Sequence, residues 1–308
     1  MQDRDFQAHL FDVVEFQHDE SRYVAYEKYS YWRSTFRTFF RSKFNIFLMV
    51  SVCLLVGMAF IYPLFYNGDP YAANTDYFAW NQAPGDGYIF GTDSLGRDIF
   101  ARTWYGTRTS LMLAFIIAFF DVTFGIIAGA TWGYVRKLDR PMTELYNIVM
   151  NVPQTVYLII LSYILRPGFW TIVIAKASRG WLSVGKFIRN KVLAIRDSEY
   201  NIASRCLGTP LRRIVMKNIV PFLVSIIIME TALSIPYVIG SEVFLGFIGL
   251  GMPTTSVSLG VLVNEGKNTF QNYPYQLIYP TSIVAYITVS FYIIGNRFAD
   301  SSDPKNHI

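Results

Sequence analysis

From Phe44 to Tyr66 the chain runs without a single charged side chain, and about 20 such residues in a helix cross the hydrocarbon core of a bilayer. Five further apolar runs follow, over Ser110 to Tyr134, Met142 to Leu165, Gly168 to about Phe187, Phe222 to about Phe247 and Leu277 to Phe298. Their spacing leaves little room for a soluble domain. Composition agrees: 52% of the 308 residues are hydrophobic and only 16% charged, against about 25% charged in soluble proteins. The expected fold is an all-α polytopic membrane protein with six transmembrane helices. Its parts are a tail over residues 1–43, a transmembrane domain over 44–298 with an outer loop at 67–107 and a polar inner loop at 191–221, and a second tail over 299–308.

Charge orients these runs. Of the 27 Lys and Arg, only Arg97, Arg102, Arg108, Arg166 and Lys267 fall in segments placed outside. Lys176 and Arg179 lie within the fourth run, and all the others lie in segments placed inside. Basic loops stay cytoplasmic, so both termini are expected there. Residues 1–43 lack the short apolar core and cleavage site of a signal peptide. The aromatic series Tyr23, Tyr26, Tyr29, Tyr31 and Trp32 fits either an interfacial helix or a loose tail.

Polar residues inside the runs are the candidate functional groups, because ionisable side chains in a bilayer are costly. Glu144, Asn147, Asn151 and Gln154 recur at helical spacing on the third run, beside Pro153. Glu230, Ser234, Tyr237 and Ser241 do so on the fifth. Each stripe either lines a path or bonds to another helix. Asp121 stands alone in the second run, Glu242 lies next to the stripe of the fifth, and Lys176, Arg179, Ser183 and Lys186 share a face of the fourth run. For Lys176 or Arg179, pairing with Glu230 or Glu242 is the expected arrangement, with a carboxylate ligand as the alternative. Gly125, Gly129 and Gly133 form a seam that lets a second helix approach closely. Gly180 to Lys186 imitates the start of a P-loop, but Phe187 replaces the hydroxyl residue that magnesium needs, and no strand precedes it. The histidines, His9, His18 and His307, lie in the tails, and Cys53 and Cys206 are far apart in depth. Neither a catalytic constellation nor a metal pattern emerges, so the chain is expected to be non-catalytic and to bind no cofactor.

The polar stretch Asp197–Pro221 is punctuated as helix, turn, helix. Asp197 or Ser198 is placed to cap the first helix, Gly208 to end it with a positive φ, and Thr209 to cap the second, with Pro210 in its first turn. It reads as a plain connector, as a DNA-binding motif using Arg205, Arg212, Arg213 and Lys217, or as a docking element. Tethering to the membrane at both ends argues against DNA.

In register with its Ala203, Gly208 and Pro221, this stretch resembles the cytoplasmic coupling loop of ABC importer permeases. Ile202, Ser204, Asn218 and Val220 depart from that pattern. In the outer loop, Gly91-Thr92-Asp93-Ser94-Leu95-Gly96-Arg97-Asp98 matches a signature of the C-type subunit of the oligopeptide and dipeptide permeases. Asp93 or Ser94 is expected to cap a short helix there, with Leu95 and Ile99 on one face. The resemblance implies a type I ABC importer permease fold in a bacterial plasma membrane, importing oligopeptides. It also implies a B-type permease partner, two cytoplasmic ATPases carrying ATP and magnesium, and an extracytoplasmic peptide-binding protein, with no nucleic acid. Coupling to the ATPase would fall to Glu199, Tyr200, Ala203, Ser204, Arg205, Leu207 and Gly208. The alternative class is a proton-coupled secondary transporter using Asp121, Glu230 and Glu242.

Overall fold

The computed structural model describes residues 31–302 apart from 86, 216, 218 and 219. Most of the residues 1–43 assigned to a tail, the aromatic series up to Tyr29 and the three histidines therefore lie outside the described residues. Helix α1 (Tyr31–Arg41) is followed by α2 (Lys43–Phe65), which fills the first apolar run. Pro63 sits in the last turn of α2, where a missing N–H breaks little of the ladder. The carbonyl of Pro63 accepts a hydrogen bond from Tyr105 Oη at 3.0 Å.

Helix α3 (Ile99–Tyr134) begins far earlier than hydropathy suggests. Its 36 residues span about 54 Å at 1.5 Å per residue, so it projects beyond the apolar core. Asp98 starts it, accepting from the backbone N–H of Phe100 at 2.8 Å and of Ala101 at 3.4 Å. The glycine seam is occupied by α6 (Phe169–Arg196). A Cβ added to Gly125 would lie 2.6 Å from Val184 Cβ, and one on Gly133 would lie 2.8 Å from Val192 Cβ. Contact this close draws on dispersion between backbones, the force left to helices in lipid.

Between them lie α4 (Arg136–Asn151) and α5 (Gln154–Leu165), bent by 77° at Val152–Pro153. The third apolar run is thus a broken pair and not one straight span. Pro153 cannot donate to the carbonyl four residues earlier, and the ladder parts at that point. The remaining elements are α7 (Glu199–Cys206), α8 (Leu211–Ile214), α9 (Val220–Phe247), α10 (Leu259–Thr269) and α11 (Tyr275–Ser302). Helices α2, α3, α9 and α11 are each long and apolar enough to cross a membrane, and the bent pair is a further candidate. Helix α6 is long enough, but its basic residues keep it below that apolar threshold.

Leu55, Leu111, Ile117, Ile172, Ile239 and Leu259 belong to one buried cluster that joins α2, α3, α6, α9 and α10. Phe47, Leu54, Phe119, Ile127 and Tyr163 point outward, as a lipid-facing surface requires. Helix α10 lies between the fifth and sixth apolar runs, outside all six. It packs edge to edge with α9, where a Cβ on Gly246 would collide with the backbone of Gly260.

Candidate functional site

The outer motif is held in a knot of charges. Gly91 and Gly96 take φ of +74° and +70°, turning the chain so tightly that no helix forms between them. The short helix expected from Asp93 or Ser94 is absent, because the Asp93 carboxylate serves the turn itself. Asp93 Oδ1 accepts from the N–H of Leu95 at 2.9 Å and of Arg97 at 3.0 Å. Its Oδ2 accepts from Arg97 Nε at 2.7 Å and also from Arg102 Nη1. Both arginines reach on to Glu265 of α10, at 3.2 and 2.6 Å. Thr92 Oγ1 donates to the carbonyl of Ala79 at 2.5 Å, while the Thr92 carbonyl accepts from Tyr275 Oη at 3.2 Å and Gln276 Nε2 at 3.1 Å. Two arginines matched by two carboxylates therefore fasten the loop to α3 and α10, and Thr92 fastens it to α11. Asp98 alone stands outside the knot, capping α3. Burial pushes its carboxyl above the usual range, against the lowering effect of the two N–H groups it accepts from.

At the other end of α3 lies the polar loop. Leu207 and Gly208 close α7, and Gly208 takes φ of +73°, the left-handed geometry foreseen for it. Neither capping expectation is met: α7 has no side-chain cap, and Pro210 stands immediately before α8 where Thr209 was expected, outside its first turn. Ser198 occupies the N-cap position, but its hydroxyl donates backwards to the carbonyl of Ile195 at 2.8 Å. Asp197 instead gathers Arg196 and Arg205, each at 3.1 Å. Hydrogen bonds from those two guanidinium groups hold its carboxyl below the usual range. The anchor missed by sequence reading is Asn201, fully buried, whose Nδ2 donates to the Ile195 carbonyl at 3.0 Å. Its position three residues after Ser198, in the first turn of the helix, was the available signal. Arg196 Nη1 reaches the Gly133 carbonyl at 3.1 Å, and the Arg205 guanidinium lies 5.9 Å from the Tyr134 ring centre. The loop is thus docked on the C-terminal end of α3. Glu199, Tyr200, Ala203, Arg205, Leu207 and Gly208 remain exposed and Ser204 half-buried; Leu207 is 84% exposed.

Midway between these ends, α3, α6, α9 and the α4–α5 break enclose a cavity of about 460 Å3. Of the path residues expected from sequence, Gln154, Glu230, Ser234 and Tyr237 line it. Tyr237 Oη donates to Gln154 Oε1 across it. Ser241 lies just above, accepting from Lys176 Nζ at 2.8 Å. Asn147 and Asn151 are exposed on α4, because the bend splits the stripe that a straight helix would have kept on one face.

The pairing expected for the buried cations does not form. Lys176 Nζ lies 4.1 Å from the Tyr237 ring centre, and Arg179 Nη2 donates to the Met150 carbonyl at 3.1 Å. That carbonyl is orphaned by the helix break, since its usual partner would be the N–H of Gln154. Glu242 is sealed away, accepting from Ser110 Oγ at 2.9 Å, Ser258 Oγ at 2.6 Å and the Gly260 N–H at 3.2 Å. Gly180 to Lys186, the P-loop imitation, is uninterrupted helix within α6.

A long helix clamped at one end, a docked polar loop at the other and a charged cavity between them describe a transporter subunit, and comparison with known proteins agrees. Residues 121–307 match the family described as binding-protein-dependent transport system inner membrane component. The chain belongs to that family. Residues 30–84 match the N-terminal TM domain of oligopeptide transport permease C, which places it among the C-type permease components of ABC transporters. It is 34% identical to the oligopeptide transport system permease protein AmiD of Streptococcus pneumoniae, over 91% of both chains. It is 30% identical to the oligopeptide transport system permease protein OppC of Bacillus subtilis, over 96% of this chain and 97% of that one. A solved structure of the MetNI methionine ABC transporter, facing inward, superposes with a TM-score of 0.55 at 17% identity, covering 66% of this chain and 96% of that one. The last likeness concerns the fold alone. The sequence reading of family and fold class therefore stands.

Proposed function

We propose that this chain forms one half of the membrane path of an ATP-driven oligopeptide importer in a bacterial plasma membrane, with both termini cytoplasmic. The other half is a B-type permease, and peptide arrives from an extracytoplasmic binding protein. ATP and magnesium are bound and used on two cytoplasmic ATPase chains, while this chain binds no cofactor and performs no chemistry. Its work is mechanical. Exposed Tyr200, Arg205 and Leu207 on α7 and its turn engage an ATPase, while buried Asn201 and the Asp197 ion pairs hold α7 to α6 and α3. A push on α7 then moves helices that flank the cavity. Gln154, Glu230, Ser234 and Tyr237 line the path, with Ser241 beside it and Asn147 and Asn151 toward its inner end.

The observation that carries this reading is the contrast between a short helix and its closing turn: α7 is anchored by Asn201, fully buried, while the apolar Leu207 that ends it is 84% exposed. An exposed apolar residue beside a rigid anchor suits a docking surface. The test is peptide uptake into proteoliposomes containing the whole transporter. Gly208→Pro removes the positive φ that the turn requires, and Leu207→Asp alters only the outward face. Both should reduce ATP-driven uptake at least tenfold, with peptide binding by the extracytoplasmic protein unchanged. Full uptake by both variants would refute the coupling role.

A further inference from the structure

The cavity holds charges of both signs that do not pair with one another. Asp121, Lys176 and Arg179 are each more than nine-tenths buried, and all three line it together with Glu230. Asp121 Oδ1 and Arg179 Nη1 are buried with no hydrogen-bond partner. Among the described residues no ion pair within 4 Å joins the two cations to the two carboxylates. Asp121 is nevertheless pressed against α6, since any side chain at Gly180 would collide with its carboxylate. Buried charges left apart in this way are costly unless something pairs them. Two cations and two carboxylates give the cavity no net charge while keeping both signs available.

The positions of the donors are also fixed. Arg179 spends Nη2 on the carbonyl that the helix break orphans, which leaves Nη1 without a partner on a side chain that lines the cavity. Lys176 donates to Ser241 and rests on the Tyr237 ring, keeping further ammonium hydrogens free, since an ammonium has three donors. The volume of about 460 Å3 falls within the range of about 300–1,000 Å3 typical of small-ligand sites. It is too small for a long peptide and large enough for a short one.

We propose that this cavity is a transit subsite that reads the charged termini of a peptide. Lys176 and Arg179 receive the α-carboxylate, and Asp121 with Glu230 receives the α-ammonium of a short peptide lying across the cavity. Because main-chain termini are common to all free peptides, such a site is selective for peptides as a class and indifferent to their side chains. The inference rests on the reading of the chain as a peptide permease.

The test uses the complete transporter in proteoliposomes, with trialanine, its C-terminal amide and its N-acetyl derivative as probes. The uptake ratio of free peptide to amide is compared between wild type and Lys176→Met, so that any preference of the extracytoplasmic protein cancels. The ratio should fall about tenfold in Lys176→Met, as loss of a charge-assisted bond predicts, and Lys176→Arg should restore most of it. Asp121→Asn should lower the ratio of free to N-acetylated peptide and leave the amide ratio alone. If Lys176→Met and Asp121→Asn slow all three probes alike, the residues act only on the fold and the subsite is refuted. Absence of any ATP-driven uptake of trialanine by wild type would instead overturn the peptide-permease reading, and the subsite with it.

Discussion

The two ends of α3, outer and inner in the orientation proposed above, are stabilised in opposite ways. At its outer end Asp93, Arg97 and Arg102 are buried and bond to one another and to Glu265, a partner 163 residues away from Arg102 in sequence. At its inner end Asp197, Arg196 and Arg205 make comparable bonds in the open, close to one another in sequence. The outer end uses its polar groups on itself and presents little. The inner end holds its helix with a few local bonds and leaves apolar and basic residues facing out. One end is built as a fixed frame; the other is, in the proposed coupling role, a movable contact for another chain.

Removing charge from the frame should give the largest effect on stability. Arg102→Met leaves Asp93 and Glu265 without their central cation, and breaking a buried pair from one side costs about 3–5 kcal/mol. Thermal unfolding of the purified transporter in detergent should show a clear drop in Tm. The matching change at the inner end, Arg205→Met, should leave Tm within error, because exposed ion pairs contribute little. Equal losses at both ends would erase the contrast.

Next in size is the seam that joins the ends. A Cβ at Gly129 would lie 2.8 Å from Ile188 Cβ, so Gly129→Val forces α3 and α6 apart at an overpacking cost of about 1–3 kcal/mol. If α3 and α6 carry movement from the loop to the cavity, uptake should fall further than the loss of stability explains. Assaying ATP hydrolysis and uptake together checks this, since hydrolysis that persists without uptake marks a broken linkage.

How much of this contrast the sequence disclosed depends on the range of the interactions. The inner end was largely legible: Gly208 needs only local backbone geometry, and Asp197, Arg196 and Arg205 are near neighbours. The glycine seam was also visible, because a four-residue repeat of the smallest side chain states its purpose. The outer knot was not. Its motif suggests only a helix cap at Asp93 or Ser94, since nothing local to residues 91–98 reveals that Arg102 and Glu265 converge on Asp93. The same holds for the cavity. Periodicity put Asn147, Asn151 and Gln154 on one face, whereas the lost N–H of Pro153 turns the chain by 77° and carries only Gln154 inward. Lys176 and Arg179 were noticed as costly, but which partner a buried cation takes is decided by helix packing.

The smallest effect separates the ends by pH, because the two flanking carboxylates shift in opposite directions. Asp98 is raised above its ordinary value of 3.8, chiefly by burial. Its contribution to stability is therefore complete below that value and is lost as pH rises through the higher folded value. Asp197 is lowered from 3.8, chiefly by its bonds from Arg196 and Arg205. Its contribution is present above 3.8 and is lost as pH falls through the lower folded value. Amide exchange, corrected for intrinsic rates, should thus show the body of α3 beyond the Asp98-capped first turn better protected on acidification from neutrality to below pH 3.8, and Tyr200 to Ile202 less protected. Asp197→Asn should abolish the second trend at the inner end and leave the first intact. Parallel trends at both ends would mean that the two carboxylates share one environment, and the distinction between frame and contact would lose its electrostatic basis.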